Sequence, residues 1–141
     1  MSKCIPCEEA RKEDILSTES LHERVAAMPL WSVQTKKIIR QTNNEHRTIF
    51  QDAMRMNIIR RSFTAKNFQC AMDFLQEAGE VCEAEGHHAD FHLVSYREII
   101  VEFYTHKVGG VTEEDLRVAA VLDAKVKPVY SPKWARENGL A

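Results

Sequence analysis

Between Thr64 and Gly86 the chain carries its strongest folding instruction. Phe68, Ala71, Met72, Leu75, Ala78, Gly79 and Cys82 form one apolar stripe with a period near 3.6 residues. Thr64 is placed as an N-cap, and Phe63 and Phe68 have the spacing of a hydrophobic staple. Gly86 stands where a left-handed C-terminal stop belongs. The spacing predicts a helix over 65–85 whose stripe is covered by another layer.

The residues that follow supply that layer. Phe91 to Tyr96 reads as a strand, with a short turn near Arg97. Glu98 to Thr105 alternates cleanly. Ile99, Val101, Phe103 and Thr105 fit a face packed on helices; Glu98, Ile100, Glu102, Tyr104 and His106 fit a wetter one. Upstream, Ser17 offers an N-cap, and Leu21, Val25 and Met28 predict a short helix to about Ala27, ended by Pro29. Leu30 to Gln34 reads as a strand with Trp31 and Val33 on one face. Ile38–Ile39 followed by Asn43–Asn44 is either strand continuation or a hairpin arm, and Met56 to Ser62 is a strand. After Gly109–Gly110, Thr112 and Asp115 have the spacing of a capping box. Leu116, Ala119, Ala120 and Val126 would be the inner face of a last helix, stopped by Pro128. The order implies an α+β fold with an antiparallel sheet and helices on one face.

At 141 residues this is one domain's worth of chain, long enough to bury a core without staples. Residues 1–15 read as a flexible arm, 16–127 as the domain, and 128–141 as a tail. The tail's Tyr130 and Trp134 are expected to tuck against the body or a neighbouring subunit. A net charge of −2 gives no bulk attraction to nucleic acid, and no apolar run reaches bilayer length. Glu8, Glu9, Glu13 and Asp14 argue against a secretory or transit segment. The expected compartment is the cytoplasm, with the nucleus as the alternative. Cys4 and Cys7 form a C-x-x-C without a second close pair, so they read as an exposed reduced dithiol rather than a zinc site.

Chemistry concentrates between Glu83 and Asp115, where His87, His88, His92 and His106 lie. Imidazoles beside carboxylates suit proton transfer near neutral pH. Glu83 precedes His87 by one helical turn and could orient it. Asp115 at a helix N-terminus is placed to accept hydrogen bonds from a histidine or a ligand, or is simply a cap. His92 alternates with Val94 and reads as a packed or surface residue; position alone leaves His106 open. A pair such as His87–His88 beyond a helix end is required by neither packing nor capping. A metal alternative uses His88, Asp90 and His92 on one strand face, but a fourth ligand has no obvious source.

The succession Glu83, His87–His88, Tyr96, His106 and Asp115 resembles the pattern of the pterin-4a-carbinolamine dehydratases. Ala89 stands where that family commonly has proline. The run I-I-R-R-S-F-T-A-K-N-F at 58–68 is similar to the family's strand-to-helix entry. The resemblance covers about 16–126. It implies a four-stranded antiparallel sheet with three helices packed on one face, and assembly as a homodimer or homotetramer. It implies dehydration of 4a-hydroxytetrahydropterin to the quinonoid dihydropterin, in tetrahydrobiopterin recycling, with no metal and no cofactor. His87, His88 and His106, supported by Glu83 and Asp115, would be catalytic. His87, His88, Ala89, Thr105, His106, Lys107 and Val108 would line the pterin. Some family members also bind a helical segment of a transcription factor as dimerisation cofactors, so a non-enzymatic binding module is the alternative. A helical protein partner is expected in that case, and direct nucleic-acid contact in neither.

Overall fold

The computed structural model describes residues 10–38, 41–44, 47–50 and 54–140. Cys4, Cys7, most of the expected arm, and Ile39 lie outside the described residues. After a 3-10 turn at Lys12–Asp14 come α1 (Thr18–Ala26), β1 (Ser32–Ile38), β2 (Gln41–Asn44), β3 (Arg47–Phe50) and β4 (Met54–Thr64). Then follow α2 (Phe68–Glu85), β5 (Asp90–Val94), β6 (Glu98–Phe103), α3 (Glu113–Lys125) and α4 (Pro132–Glu137). β1, β4, β6 and β5 make one antiparallel sheet in that order, and β2 pairs with β3 as a separate hairpin arm.

One face of the sheet carries Ile59 and Phe63 of β4 and Ile99, Val101 and Phe103 of β6. In register, Ile59 lies opposite Phe103 and Phe63 opposite Ile99. Against this face pack Leu21 and Val25 of α1, Ala71, Phe74, Ala78 and Cys82 of α2, and Leu116, Val118, Ala119 and Leu122 of α3. The expected α+β architecture is therefore present, with three longer helices sharing one core.

Several local expectations are corrected. The N-cap of α2 is Asn67, whose side chain accepts from Cys70 N at 2.8 Å; Thr64 instead ends β4 opposite Glu98. The sheet holds the chain longer than the spacing implied, because Ala65 N–H still donates to Arg97 O at 2.8 Å. The staple does not form: Phe63 faces Phe74 edge-on, while Phe68 and Met72 are exposed. Phe74, not Phe68, carries the inner stripe. β5 stops at Val94 because Ser95 and Tyr96 adopt φ of 48° and 58° in a tight hairpin. β6 stops at Phe103, and Thr105 N–H pairs with Gly110 O across the next turn instead. Ala120 is exposed on α3, where Val118 and Leu122 are buried.

The face away from the helices is less wet than its sequence suggests. Glu102 is only 2% exposed and Tyr104 only 7%. Glu102 accepts from Arg60 Nη2 at 2.9 Å and Lys36 Nζ at 3.4 Å, with His92 Nε2 at 3.0 Å. Burial pushes its carboxyl up, but Arg60 and Lys36 outweigh burial and hold it below the usual carboxylate range.

Tyr130 and Trp134 tuck against the body as expected, around the ring of Phe63. The buried guanidinium of Arg61 donates to Asp123 Oδ1 and to Tyr130 Oη, both at 2.7 Å. Trp31 Nε1 donates to the other Asp123 oxygen at 2.8 Å. A buried cation so enclosed ties three distant segments together, since its charge has no other outlet. Upstream, Ile15 packs where a Cβ on Gly110 would meet it at 2.8 Å, and Leu16 N–H donates to Val111 O at 2.9 Å.

Candidate active site

The site begins with the way α2 ends. Gly86 takes φ +68°, and His87 N–H reaches back to Cys82 O at 3.2 Å, closing the helix in the six-to-one manner. After this reversal the two histidines differ sharply in exposure: His87 is 3% exposed, whereas the His88 side chain is 60% exposed. The acids crowding this end have partners. Glu83 Oε1 lies 2.7 Å from His88 Nε2, and Glu85 Oε2 accepts from Arg117 Nη1 at 2.7 Å. Burial pushes the Cys82 thiol up, partly opposed by a hydrogen bond with the Ala89 backbone. That thiol is a packing group rather than a nucleophile.

His87 meets the first turn of α3. Its Nε2 lies 2.5 Å from Asp115 Oδ1, and its ring stacks parallel to Phe103 at 6.0 Å. Asp115 Oδ2 accepts from Thr112 N at 2.9 Å, completing the capping box, and from Thr105 Oγ1 at 2.9 Å. The carboxylate is thus cap and histidine partner at once. With Nε2–H donating to Asp115, the neutral ring keeps its lone pair on Nδ1. That nitrogen is buried and has no hydrogen-bond partner. A buried polar atom of this kind costs stability unless a ligand or water answers it.

A third histidine stands across the opening. His106 follows Thr105 in the turn after β6, with Nε2 at 3.5 Å from Asp90 Oδ1. Tyr104 Oη donates to Asp90 Oδ2 at 2.7 Å, and its ring lies 4.1 Å from the His106 ring. Burial, then the nearby Asp90 carboxylate, push the Tyr104 hydroxyl well above the ordinary phenol range, so it stays a donor.

Gly86, His87, His88, Ala89, Asp90, Tyr104 and His106 line an open pocket of about 200 Å³. All three predicted histidines and Ala89 therefore border one space. Asp115 stands behind His87; Glu83, expected beside His87, stands behind His88 instead, because the helix ends before the spacing that would join it to His87 is completed. Thr105 lies fully buried beneath, bonded to Asp115, while Lys107 and Val108 fall outside the lining. Tyr96 is 58% exposed in the β5–β6 turn, away from the pocket, with the Arg97 guanidinium over its ring. Tyr104 is a lining residue that the sequence reading did not single out, although alternation from Glu98 onward set Tyr104 and His106 on one side, and Asp90 entered that reading only as a ligand in the metal alternative. The alternative trio His88, Asp90 and His92 is not gathered: they turn to Glu83, Tyr104 and Glu102 respectively. Among the described residues no group of three or more His, Cys, Asp or Glu side chains is placed to hold a metal ion.

Fold and pocket together define a small α+β protein with a pocket bordered by three histidines, each beside a carboxylate. The family model described as pterin 4 alpha carbinolamine dehydratase matches residues 14–125, and the chain belongs to that family. It is 31% identical over 123 residues to the mitochondrial pterin-4-alpha-carbinolamine dehydratase 2 of Arabidopsis thaliana, covering 86% of this chain and 55% of the relative. The chain thus spans about half the length of that relative. It is 31% identical to an Alkaliphilus metalliredigens protein named for the same dehydratase, covering 86% of this chain and 89% of that protein. A crystal structure titled transcriptional coactivator/pterin dehydratase, from Brucella melitensis, superposes with a TM-score of 0.56 at 25% identity, covering 80% of this chain and 99% of that one. No helix among the described residues is long and apolar enough to cross a membrane.

Proposed function

We propose that this chain removes water from 4a-hydroxytetrahydropterin to give the quinonoid dihydropterin, the step that returns the pterin to its recycling route. The observation that carries the reading is the threefold arrangement around one pocket. His87 stands against Asp115, His88 against Glu83 and His106 against Asp90. In the reaction the C4a–O bond breaks as a proton reaches the departing hydroxyl. A ring N–H gives up its proton, and the electron pair left behind forms the C=N bond. One imidazole delivers the first proton and another takes the second, which suits side chains that exchange protons near neutral pH. Carboxylates behind the rings fix their tautomers and steady the imidazolium that forms. Thr105, Lys107 and Val108 would shape the turn that carries His106, and Ala89 the floor beside His88.

Assembly as a homodimer or homotetramer is part of this reading, supported by the unpaired outer edge of β5 among the described residues. Sedimentation checks it. Residence in the cytoplasm, with the nucleus as the alternative, is also proposed. The Arabidopsis relative is named mitochondrial, so fractionation of the tagged protein decides. A second reading, binding of a helical partner as a transcription cofactor, is favoured only by the Brucella title.

The test is turnover of freshly generated 4a-hydroxytetrahydropterin with chelator present. Rapid, chelator-insensitive loss of water supports the dehydratase. A rate no faster than the uncatalysed reaction overturns it and moves the search to helical partners.

A further inference from the structure

We propose that Asp90 is the positioning residue for His106, and that Tyr104 is the clamp that aims Asp90. The assignment rests on the reading of His106 as a pterin-site imidazole.

His87 and His88 sit on a link closed by a helix end, and each has a carboxylate within 2.7 Å. His106 lies in a turn with its side chain 63% exposed, so its own backbone does little to fix the ring. Two features do. Tyr104, two residues back in the chain and next after β6, lays its ring 4.1 Å from the imidazole at 42° and closes that side to rotation. Asp90, the first residue of β5, sits opposite Glu102 in the ladder, on the strand face that also carries Tyr104. The Tyr104 hydroxyl grips Asp90 Oδ2 at 2.7 Å, which leaves Oδ1 turned to His106 Nε2 at 3.5 Å. A carboxylate held by one oxygen has lost the rotation that would let it face elsewhere.

The chemistry that follows is tautomer selection. A carboxylate oxygen can only accept, so it favours the ring form with its proton on Nε2 and leaves the Nδ1 lone pair for a ligand. His87 is held in the same sense by Asp115. The 3.5 Å separation is long for a hydrogen bond, and it shortens when the ring becomes cationic, as charge-assisted pairs do. The other charged or titratable groups nearby are His87 and His88 across the pocket, Lys107 beside it in sequence, and Lys36. The Lys36 ammonium lies 5.5 Å above the Tyr104 ring and is paired with Glu102.

The test is 15N NMR of imidazole-labelled protein, in which the Nδ1 and Nε2 shifts of His106 report the tautomer directly. In wild type His106 is expected to favour Nε2–H. Asp90→Asn should lower that preference about fivefold, the ratio equivalent to one net hydrogen bond. Tyr104→Phe keeps the tilted ring beside His106 but frees the carboxylate, and should give a smaller loss. Asp90→Glu should restore most of the preference. In turnover, Asp90→Asn should lower kcat about tenfold with little change in KM. His106 shifts that stay unmoved in both Asp90→Asn and Tyr104→Phe overturn the assignment, even if turnover falls, because a structural role alone would lower activity. The NMR readout needs no pterin chemistry. Absence of dehydratase turnover in the wild type would therefore overturn the proposed function while the Asp90–His106 coupling is still judged separately.

Discussion

His87 Nε2 and Asp115 Oδ1 meet at 2.5 Å with both side chains shut away from solvent. Asp115→Asn keeps the shape but turns an acceptor into a group that can present N–H to N–H. Turnover is expected to fall at least about a hundredfold. The amide keeps only one of the two oxygens, so either His87 or the Thr105–Thr112 pair loses its acceptor, and the variant should also lose about 2 kcal/mol of stability. Steady-state kinetics and denaturant unfolding of one preparation measure both.

His88 offers the opposite case. It borders the pocket yet its side chain is 60% exposed, with Glu83 as its partner. His88→Ala should lower turnover about a hundredfold and shift stability by no more than about 0.5 kcal/mol. Sedimentation should find the oligomeric state unchanged. Intact turnover in this variant would remove His88 from the chemistry.

Gly86 tests the link itself. A Cβ there meets nothing within 4 Å, so Gly86→Ala adds no clash, only the strain of φ +68°. About 1 kcal/mol of stability should be lost, or about 3 °C in Tm. Activity should fall further than that loss explains, because His87 and His88 are aimed by the same reversal.

Glu102 sets a pH dependence away from the pocket. Its carboxyl is lowered in the folded protein, on balance, by Arg60 and Lys36. The folded state therefore holds the proton less tightly than the unfolded chain. The stabilisation is fully present above the ordinary glutamate value of about 4.3 and is lost as pH falls through the folded value. Glu102→Gln should cost about 1–2 kcal/mol near neutral pH, and its unfolding curve should converge with that of the wild type below about pH 4. A pH series of thermal unfolding checks the crossing.

Much of this molecule was legible in residue order. Period-2 alternation in β6 predicted which side of Ile99, Val101 and Phe103 meets the helices. Gly86 and Ser17 marked ends that the backbone honours. The N-terminus of α2 was not legible, because Thr64 and Asn67 are both competent caps and a tertiary contact, Ala65 to Arg97, decides between them. Burial of Glu102 was hidden for a similar reason: its neutralising partners, Arg60 and Lys36, come from two other strands. Helical spacing pointed Glu83 at His87, four residues on; the left-handed turn at Gly86 breaks that spacing and gives Glu83 to His88, five residues on, while His87 goes to Asp115. The pairing of His106 with Asp90 spans a hairpin and needed the ladder.

Arg61 and Phe63 give the chain an order of completion. Their surroundings include Tyr130 and Trp134, made some seventy residues later in synthesis. While the chain is being made from its N-terminal end, β4 can pair and α2 can dock, but the guanidinium remains without its phenol and Phe63 without two of its three aromatic neighbours. Translation must therefore pass residue 134 before the core can shut. A ribosome paused short of that point would present an assembled sheet with an open seam, and it is there that a nascent-chain chaperone would find something to hold.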